Sequence, residues 1–430
     1  NVCGKELVKW VIDASREAGA DTVVAVIGHK AEAVRPVIGE SAETVIQAEQ
    51  LGTGHAVMQA AEYIKSAPGS VVVLNGDTPL IKAETIKKAI EYHEAQGNSA
   101  TVITAEFEDA TGYGRIVRGE DGSVLRIVEQ KDASEEEKKI REINSGMYVF
   151  NGTELAWALD KLTPNNAQGE YYLTDTLAIL RGDGKKIGGY TIEDNDEIRG
   201  INNRVQLSEA ETIMQSRINE GHMLNGVTIV NPSSVFIGAE VEIGRDTVIA
   251  SNVTLTGSTK IGSGCSVEMG CRIEDSVIED NVSVLNSVIL KSHIGEGTNV
   301  GPFAYVRPGC RVGKHVKVGD FVEIKNVTID DGTKISHLTY LGDTDIGKNV
   351  NFGCGTVTCN YDGKDKFRSE IGDNVFVGCN TNLVSPVKVG DGAYIAAGST
   401  ITDDIPEKNL AIARARQVNK DNWKGNKYTK

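Results

Sequence analysis

The hydrophobic residues of the chain follow two different periods, and the change falls just after residue 203. Before it, short apolar runs alternate with segments of helical periodicity, such as the amphipathic helix predicted over Glu6–Ala18. The apolar runs predict strands at Val23–Ile27, Val45–Ile46, Val71–Leu74, Ala100–Thr104 and Met147–Phe150. Buried strands that alternate with helices predict an α/β unit whose sheet is mostly parallel and covered on both faces.

Beyond Val227 an aliphatic residue recurs at every sixth position through most of the remaining chain. Gly often follows it and permits a turn, so the pattern predicts short strands separated by corners and stacked into a parallel β-helix. The repeat positions are Ile237, Ile243, Ile249, Leu255, Ile261, Val267, Ile273, Ile294, Val300, Val306, Val312, Val318, Ile324, Ile329, Ile335, Leu341, Ile346, Phe352, Ile371, Val377, Leu383, Val389, Ile395 and Ile401.

Two segments interrupt these periods. Arg204–Glu220 is polar, lacks Gly and Pro, and is predicted to be a helical connection. The expected organisation is therefore a first domain over residues 1–203, a helical linker over 204–225, and a repeat domain with a C-terminal tail over 226–430. Cys359–Ser369 breaks the period of the repeat and is predicted to project as a loop, a common place for binding on solenoids.

Composition narrows the possible classes. A chain of 430 residues exceeds what one hydrophobic core usually spans. Its net charge of −15 lacks the basic footprint of a phosphate-backbone binder, so nucleic acid is not an expected partner. No apolar run approaches the length of a membrane span. The seven cysteines are scattered without a disulfide framework, and reduced thiols of a cytoplasmic protein are expected.

Polar residues follow the predicted strand Val71–Leu74. Asp77 stands at its carboxyl end, where open parallel sheets bind ligands and where a carboxylate can hold Mg²⁺. For Asp77 alone, a simple cap of the turn into Thr78 explains the residue better. The turn at Gly52–Gly54 lets the backbone approach a ligand closely, and Thr53 is predicted to cap the helix that follows.

Several longer motifs occur in a characteristic order: Gln-Leu-Gly-Thr-Gly-His-Ala (50–56), Asn-Gly-Asp (75–77), Thr-Gly-Tyr-Gly-Arg-Ile (111–116), Val-Glu-Gln-Lys-Asp (128–132), Glu-Ile-Asn-Ser-Gly (142–146), Gln-Gly-Glu-Tyr-Tyr-Leu-Thr-Asp (168–175) and Gly-Ile-Asn-Asn-Arg (200–204). With the repeat half, they closely resemble the bacterial family of bifunctional N-acetylglucosamine-1-phosphate uridylyltransferases/glucosamine-1-phosphate N-acetyltransferases. The resemblance covers essentially the whole chain. It implies a Rossmann-like nucleotidyltransferase domain followed by a left-handed parallel β-helix of hexapeptide repeats.

The resemblance also implies two reactions in the synthesis of UDP-N-acetylglucosamine, a peptidoglycan precursor. Acetyl-CoA would acetylate glucosamine 1-phosphate, and UTP would then uridylylate N-acetylglucosamine 1-phosphate with release of pyrophosphate. In the second reaction the sugar phosphate attacks the α-phosphorus in line, so positioning and a cation carry most of the catalysis. Asp77 and Asn202 would hold Mg²⁺ beside the UDP-sugar. The resemblance assigns the rest of the UDP-sugar site to Gln47, Gly52, Thr53, Asn75, Gly76, Gly114, Glu129 and Asn144.

The family opens with a strand and a Gly-rich loop followed by a Lys, which together cradle the triphosphate. Nothing in this sequence matches that segment, and Asn1–Lys5 aligns just after it. The chain is therefore expected to lack an upstream piece. If it is the whole polypeptide, uridylyl transfer is expected to be severely impaired while acetyl transfer survives.

His337 lies in the string Ser-His-Leu-Thr-Tyr (336–340) within the repeat. An imidazole can accept a proton near neutral pH, but a packed surface histidine explains this residue equally well. By resemblance, His337 is the proton acceptor that lets the sugar amine attack the thioester. The resemblance assigns the sugar phosphate to Arg307, Lys325, Tyr340 and Asn351, and acetyl-CoA to Cys354, Asn360, Tyr361, Cys379, Ala397 and Arg414.

Cys354 and Cys379 stand where the family is expected to have Ala and Ser, so thiol sensitivity is expected at both positions. Neither is predicted to be a nucleophile, because the remaining pattern implies direct transfer. The C-terminal tail carries Lys420, Lys424, Lys427 and Lys430 interleaved with Trp423 and Tyr428. It is predicted to be a solvated terminus, with contact to the anionic co-substrate as the alternative.

The resemblance implies a cytoplasmic homotrimer that acts on small molecules. Three other classes compete with this interpretation. A single-function nucleotidylyltransferase with a regulatory β-helix disagrees with the intact acetyl-site residues. A β-helix metalloenzyme of the carbonic anhydrase type needs clustered histidines, whereas His293, His315 and His337 are evenly separated along the chain. A non-catalytic trimeric scaffold remains open, and binding of acetyl-CoA would separate it from the enzymes.

Overall fold

The computed structural model describes residues 1–66, 69–165, 168–421 and 423. The chain divides into two compact units, Asn1–Met214 and Gln215–Lys430. This division falls inside one helix, Arg204–Leu224, which confirms the predicted helical connection. The domain bounds at residues 203 and 226 stay predictions. No helix in the described ranges has both the length and the apolar character needed to cross a membrane.

Helical segments and strands alternate in the first unit up to Ala100–Glu106, as the apolar pattern predicts, and three further strands then follow without an intervening α-helix. The helices are α1 Leu7–Glu17, α2 Ala31–Ile38, α3 Thr53–Met58, α4 Ala61–Ser66, α5 Ala83–Ala95, α6 Gly152–Leu159, α7 Asp175–Gly182 and α8 Arg204–Leu224. The strands are β1 Val24–Ile27, β2 Glu43–Ile46, β3 Ser70–Val73, β4 Ala100–Glu106, β5 Arg115–Arg118, β6 Val124–Val128, β7 Glu142–Asn151 and β8 Ile187–Thr191.

The main sheet of this unit is mixed, which corrects the prediction of a mostly parallel sheet. Its order is β6-β5-β7-β4-β8, and β3 also pairs with β7. Strand β7 is antiparallel to β3, β4 and β5, whereas β4 and β8 are parallel. A buried strand has the same apolar sequence whichever way it runs, so the pattern did not reveal the direction of β7. The tight link between β5 and β6 also forces an antiparallel pair.

Helices cover both faces of the sheet, as predicted. Along β4, Val102 belongs to a cluster with Phe150 and the helices α4, α6 and α7. The next residue, Ile103, belongs to a second cluster with Val149 and the helices α1 and α5. Successive residues of a strand point to opposite faces, so each face has its own core. Strands β1 and β2 form a separate parallel pair.

The second unit is a parallel β-helix with three sheets. The first sheet contains Thr228–Ile229, Val248–Ile249, Ser266–Val267, Ser283–Val284, Asn299–Val300, Lys317–Asp320, Lys334–His337, Asn351–Phe352, Phe376–Val377, Tyr394–Ile395 and Leu410–Ala411. The second contains Phe236–Ile237, Thr254–Thr256, Arg272–Glu274, Val288–Leu290, Tyr305–Val306, Glu323–Lys325, Tyr340–Gly342, Val357–Cys359, Asn382–Val384 and Thr400–Ile401. The third contains Glu242–Ile243, Lys260–Ile261, Val277–Ile278, His293–Ile294, Arg311–Val312, Thr328–Ile329, Thr344–Ile346, Ser369–Ile371 and Lys388–Val389.

The repeat residues stack inside this β-helix and form its core, which confirms the prediction. Ile237 pairs in register with Leu255, and Leu255 pairs with Ile273 one coil further on. The glycine after the aliphatic residue is needed where coils touch. A Cβ added to Gly244 would lie 2.6 Å from the backbone carbon of Gly262, so the corner admits no side chain there.

Residues 360–368 leave the coils as a loop, as predicted, whereas Cys359 and Ser369 at the ends of the predicted segment belong to strands of the second and third sheets. Tyr361 and Lys366 pair across it as an antiparallel bridge. The N–H of Phe367 donates to the carbonyl of Asn360 at 2.9 Å and closes its base. The loop is therefore a small hairpin that carries its side chains beside the second sheet.

Candidate active sites

A cavity of about 1850 Å³ in the first unit borders strands β1 and β3, including the carboxyl end of β3. It includes the strand end where the sequence predicts a ligand-binding edge. Six of the predicted site residues line it: Thr53, Asn75, Gly76, Asp77, Glu129 and Asn144.

Asp77 and Asn202 converge over Gly200, although they are far apart in the sequence. A Cβ added to Gly200 would lie 3.6 Å from Asp77 Oδ2 and 3.7 Å from Asn202 Nδ2. The N–H of Ile201 donates to the carbonyl of Asp77 at 3.0 Å and fixes this approach. A carboxylate and an amide suit Mg²⁺, which takes its other ligands from phosphate and water. The described residues hold no cluster of three or more His, Cys, Asp or Glu arranged for a metal.

The turn at residues 51–54 is clamped by the strand-like segment around Tyr171. Gly54 N–H donates to the Tyr171 carbonyl, and Tyr171 N–H donates to the Leu51 carbonyl, both at 2.8 Å. Gly52 has φ 106°, and a Cβ there would lie 2.6 Å from the Tyr171 oxygen, so only glycine fits. The prediction that Thr53 caps α3 is wrong. Gly52 is the N-cap, and the Thr53 hydroxyl accepts instead from Leu173 N–H at 3.1 Å.

Gln47 is buried behind this turn. Its side-chain amide donates to the Gly52 carbonyl at 3.1 Å and lies 3.1 Å from His55 Nδ1. The other ring nitrogen of His55 lies 3.2 Å from the amide of Gln59. Gln47 therefore holds the turn in place. In the part of the chain that the structure describes, the residues that line the cavity do not include Gln47, Gly52, Gly114 or Asn202.

Gly114, Glu129 and Asn144 come together at the other side of the cavity. A Cβ added to Gly114 would lie 3.3 Å from Glu129 Oε1, and Asn144 N–H donates to the Gly114 carbonyl at 2.9 Å. Asn144 Oδ1 accepts from the Tyr148 hydroxyl at 3.1 Å. Burial raises the pKa of Tyr148, so the phenol stays a donor and leaves the Asn144 amide free to donate outward.

The second candidate site begins on the outer face of the second sheet. Lys325 pairs in register with Gly342. Because Gly342 has no side chain, there is room for the side chains of Tyr340 and Asn360. A Cβ added to Gly342 would lie 2.5 Å from the Tyr340 hydroxyl and 2.7 Å from Asn360 Nδ2. Asp343 Oδ2 accepts from Asn360 Nδ2 at 2.5 Å and orients that amide. Three predicted residues of the acetyl site, Lys325, Tyr340 and Asn360, therefore lie together.

Positive charge gathers at the same place. The projecting hairpin brings Lys366 beside Lys325, and its ammonium lowers the pKa of Lys325 because like charges repel. Arg307 adds to this effect from the coil before and donates to Glu323 at 2.8 Å, which raises the pKa of Arg307. Clustered cations suit a phosphate group. Lys366 was not predicted; its position in a loop outside the repeat gave no register that would place it.

His337 lies at the corner between the first and second sheets. Its Nδ1 is 2.6 Å from Asp320 Oδ1, its register partner one coil earlier. The hydrogen bond from His337 lowers the pKa of Asp320, so the carboxylate is the charged partner. This contact assigns the proton to Nδ1 and leaves Nε2 with a lone pair. Asp320 was not predicted, although counting back one coil from His337 would have found it.

The same corner recurs in the next three coils, at Cys354, Cys379 and Ala397. Each of these residues lies two positions after a member of one in-register column, which contains Phe352, Val377 and Ile395. The side chain of Arg414 reaches this column, since a Cβ on Gly398 would lie 3.9 Å from its Cδ. Tyr361 is exposed on the hairpin and donates to the Gly363 carbonyl at 2.6 Å. Of the predicted basic tail, Lys424, Lys427, Tyr428 and Lys430 lie outside the described residues.

Asn351 is the one residue of the predicted sugar-phosphate set that does not lie with the others. It belongs to the first sheet, where it pairs with Lys334 and Phe376, whereas Lys325 and Tyr340 belong to the second, and Arg307 directly follows a strand of the second. It also begins its strand, at the end away from the corner that the two sheets share. Within one copy of the chain, Asn351 therefore does not join the predicted sugar-phosphate residues.

The known families that match this chain match its two units separately. The family described as nucleotidyl transferase matches residues 1–196. The GMPPB C-terminal domain matches residues 229–329, and the bacterial transferase hexapeptide (six repeats) matches residues 368–403. The fold and the two sites thus define a nucleotidyltransferase joined to a hexapeptide-repeat acyltransferase.

Individual relatives resemble the chain along its length. The bifunctional protein GlmU of Acetivibrio thermocellus is 58% identical over 98% of this chain and 91% of its own length. Those of Caldanaerobacter subterraneus subsp. tengcongensis and Clostridioides difficile are 55% and 53% identical, each over 98% of this chain and 92% of its own length. The chain belongs to the family of bifunctional GlmU proteins.

Proposed function

We propose that the second unit transfers the acetyl group of acetyl-CoA to the amine of glucosamine 1-phosphate. The observation that carries the proposal is the 2.6 Å contact of His337 with Asp320 at the corner that leads into the second sheet, where Lys366 gathers with Lys325 and Arg307. The cations hold the sugar phosphate, and Nε2 of His337 takes the proton that the amine loses as it attacks the thioester carbon. Asp320 stabilises the imidazolium that forms.

The thioester oxygen gains charge as the amine attacks. The N–H of Cys354 has no hydrogen-bond acceptor in the described part of the chain and lies at the corner one coil beyond His337. We assign it the role of donor to that oxygen, in which the thiol takes no part. Collapse of the intermediate expels CoA as a thiolate, which recovers the proton from His337.

The first unit then transfers uridylyl from UTP to N-acetylglucosamine 1-phosphate in the proposed sequence. Asp77 and Asn202 would hold Mg²⁺, which would supply charge neutralisation to the phosphates of UTP. Asn144 and Glu129 bind the sugar, and Gly114 leaves room for the Glu129 side chain that it contacts. Gln47 acts by holding the Gly52–Gly54 turn against the uracil. Both reactions use small cytoplasmic co-substrates, so we place the protein in the cytoplasm.

Release of free CoA from acetyl-CoA and glucosamine 1-phosphate tests the acetyl reaction directly. The same preparation is assayed for pyrophosphate release from UTP and N-acetylglucosamine 1-phosphate. We expect CoA release to require the sugar phosphate and pyrophosphate release to require Mg²⁺. Acetyl-CoA that binds by calorimetry without any CoA release would instead support a binding scaffold.

The position of Asn351 supports a homotrimer whose acetyl sites lie between copies. Since Asn351 and Lys325 lie on different sheets, one copy provides the second sheet of a site with the corner at His337, and its neighbour provides Asn351. We expect inactive Lys325→Ala and inactive Asn351→Ala proteins to recover activity when dissociated and reassembled together. When the two proteins assemble at random into a symmetric ring, about one quarter of the sites receive an intact Lys325 from one copy and an intact Asn351 from its neighbour.

Lys325→Ala mixed with Arg307→Ala is the matched control, because Lys325 ends one strand of the second sheet and Arg307 directly follows another strand of that sheet in the same copy. That mixture has no intact site and should stay inactive. Recovery in both mixtures, or in neither, would contradict the shared site. Sedimentation equilibrium on each mixture shows whether trimers have formed.

A further inference from the structure

Cys354 and Cys379 occupy equivalent positions in two adjacent corners of the β-helix. In each corner a buried hydroxyl donates to the carbonyl three residues earlier, and the residue after the cysteine has a positive φ. These hydrogen bonds are Thr356 to Gly353 at 2.8 Å and Thr381 to Gly378 at 2.6 Å, and the φ angles are 78° at Gly355 and 54° at Asn380. The two corners therefore have the same conformation. The side chains of Cys354 and Cys379, which occupy the same position in each corner, point the same way.

The two corners are also in direct contact. Asn380 N–H donates to the Cys354 carbonyl at 2.8 Å, and a Cβ on Gly353 would clash with the backbone nitrogen of Cys379. Neighbouring strands place Cα atoms about 4.8 Å apart, which is within the range of about 4.4–6.8 Å found across disulfides. His337 and Asp320 lie one and two coils before Cys354 in the same column, and their side chains already touch at 2.6 Å. Side chains one coil apart can thus meet at this corner.

These thiols differ from most others in the chain. Cys3, Cys265, Cys271 and Cys310 are buried, whereas Cys379 is exposed and Cys354 is partly exposed. Burial raises the pKa of Cys3 to about 12 and raises those of the other three buried thiols, so they stay protonated and unreactive. Cys359 is the remaining accessible thiol and lies on the second sheet, where it pairs with Val384.

We propose that Cys354 and Cys379 form a reversible disulfide that switches off acetyl transfer under peroxide. The thiolate of the more exposed Cys379 attacks hydrogen peroxide, forming a sulfenic acid and one water. The Cys354 thiol then attacks that sulfur, and a second water leaves. Two thiols thereby lose two electrons and two protons, and one peroxide becomes two waters.

The bridge acts on the proposed acetyl site and so rests on the proposed function. Bond formation must draw the two Cβ atoms to about 3.8 Å, closer than the coil spacing, so it shifts the corner that carries the Cys354 N–H. A displacement of this size in a catalytic site costs up to about 100-fold in rate. We expect acetyl transfer to fall at least about tenfold on oxidation and to recover with dithiothreitol, while pyrophosphate release is unchanged.

The experiment treats the whole chain with hydrogen peroxide and measures two things. Peptide mapping by mass spectrometry, without reduction, should find a Cys354–Cys379 linked pair. CoA release is compared before and after peroxide for each protein, so that any change in basal rate cancels. Cys354→Ala and Cys379→Ser should each lose the reversible inhibition, and Cys359→Ser should keep it.

Each other outcome overturns the inference. Inhibition without the linked peptide, or inhibition that persists in Cys379→Ser, places the sensitive group elsewhere. A linked peptide with unchanged CoA release means that the bridge forms without acting as a switch. If the reduced protein releases no CoA at all, the proposed function fails, and the linked peptide is still tested independently by mapping.

Discussion

Replacing His337 by Ala is expected to reduce acetyl transfer by about 10²–10⁴-fold, or roughly 3–5.5 kcal/mol in the barrier. The variant loses the imidazole that contacts Asp320 in this corner and that can take the amine proton through Nε2. The side chain is exposed, so its removal leaves no cavity and the coil should fold normally. The measurement is CoA release under saturating sugar phosphate, with acetyl-CoA binding by calorimetry expected to be nearly unchanged.

Two further variants sharpen this result. His293→Ala removes another histidine of the β-helix, which contacts Glu279 at 2.9 Å on the third sheet, and should leave CoA release as it is. Asp320→Asn keeps the shape of the carboxylate but not its charge, so we expect a smaller loss and a shifted pH–rate profile. A His337→Ala protein with nearly full turnover would mean that another group or bulk water accepts the proton.

The sequence predicts the β-helix well because its signal is repeated. A buried aliphatic residue at each sixth position is an independent observation of the same inward direction, and Ile237, Leu255 and Ile273 align without a shift. The mixed sheet of the first unit has no such repetition. Burial on both faces makes the run Met147–Phe150 of β7 apolar, and nothing in that composition specifies that the strand runs against β3 and β4.

The candidate sites show the same limit. Motifs identify residues whose type is unusual, such as His337, but they do not identify the common residue that positions one of them. Asp320 is an ordinary Asp in the sequence, and only the coil register brings it to His337. Lys366 reaches Lys325 because the hairpin folds back, a geometry set by the Tyr361–Lys366 bridge and not by any period. The assigned roles of the site residues stay predictions until the variants are measured.

Asp77→Ala is expected to lower uridylyl transfer by about 100-fold or more at fixed Mg²⁺, since the ion supplies several kcal/mol of charge stabilisation. Asp77 is the carboxylate that converges with Asn202 over Gly200, and an amide alone binds the ion weakly. Pyrophosphate release measures the effect, and calorimetry of UDP-N-acetylglucosamine with and without Mg²⁺ measures it independently of turnover.

Asp121→Ala is the matched control, because Asp121 is an exposed turn carboxylate that accepts from Ser123 at 2.7 Å. It should change neither reaction. Acetyl transfer should also stay normal in Asp77→Ala, since the stability of the β-helix sums over its own neighbouring coils. A partial recovery of pyrophosphate release at high Mg²⁺ supports a lost ligand. Mg²⁺-dependent binding that is equal in the Asp77→Ala protein and the parent would show that the ion is held elsewhere.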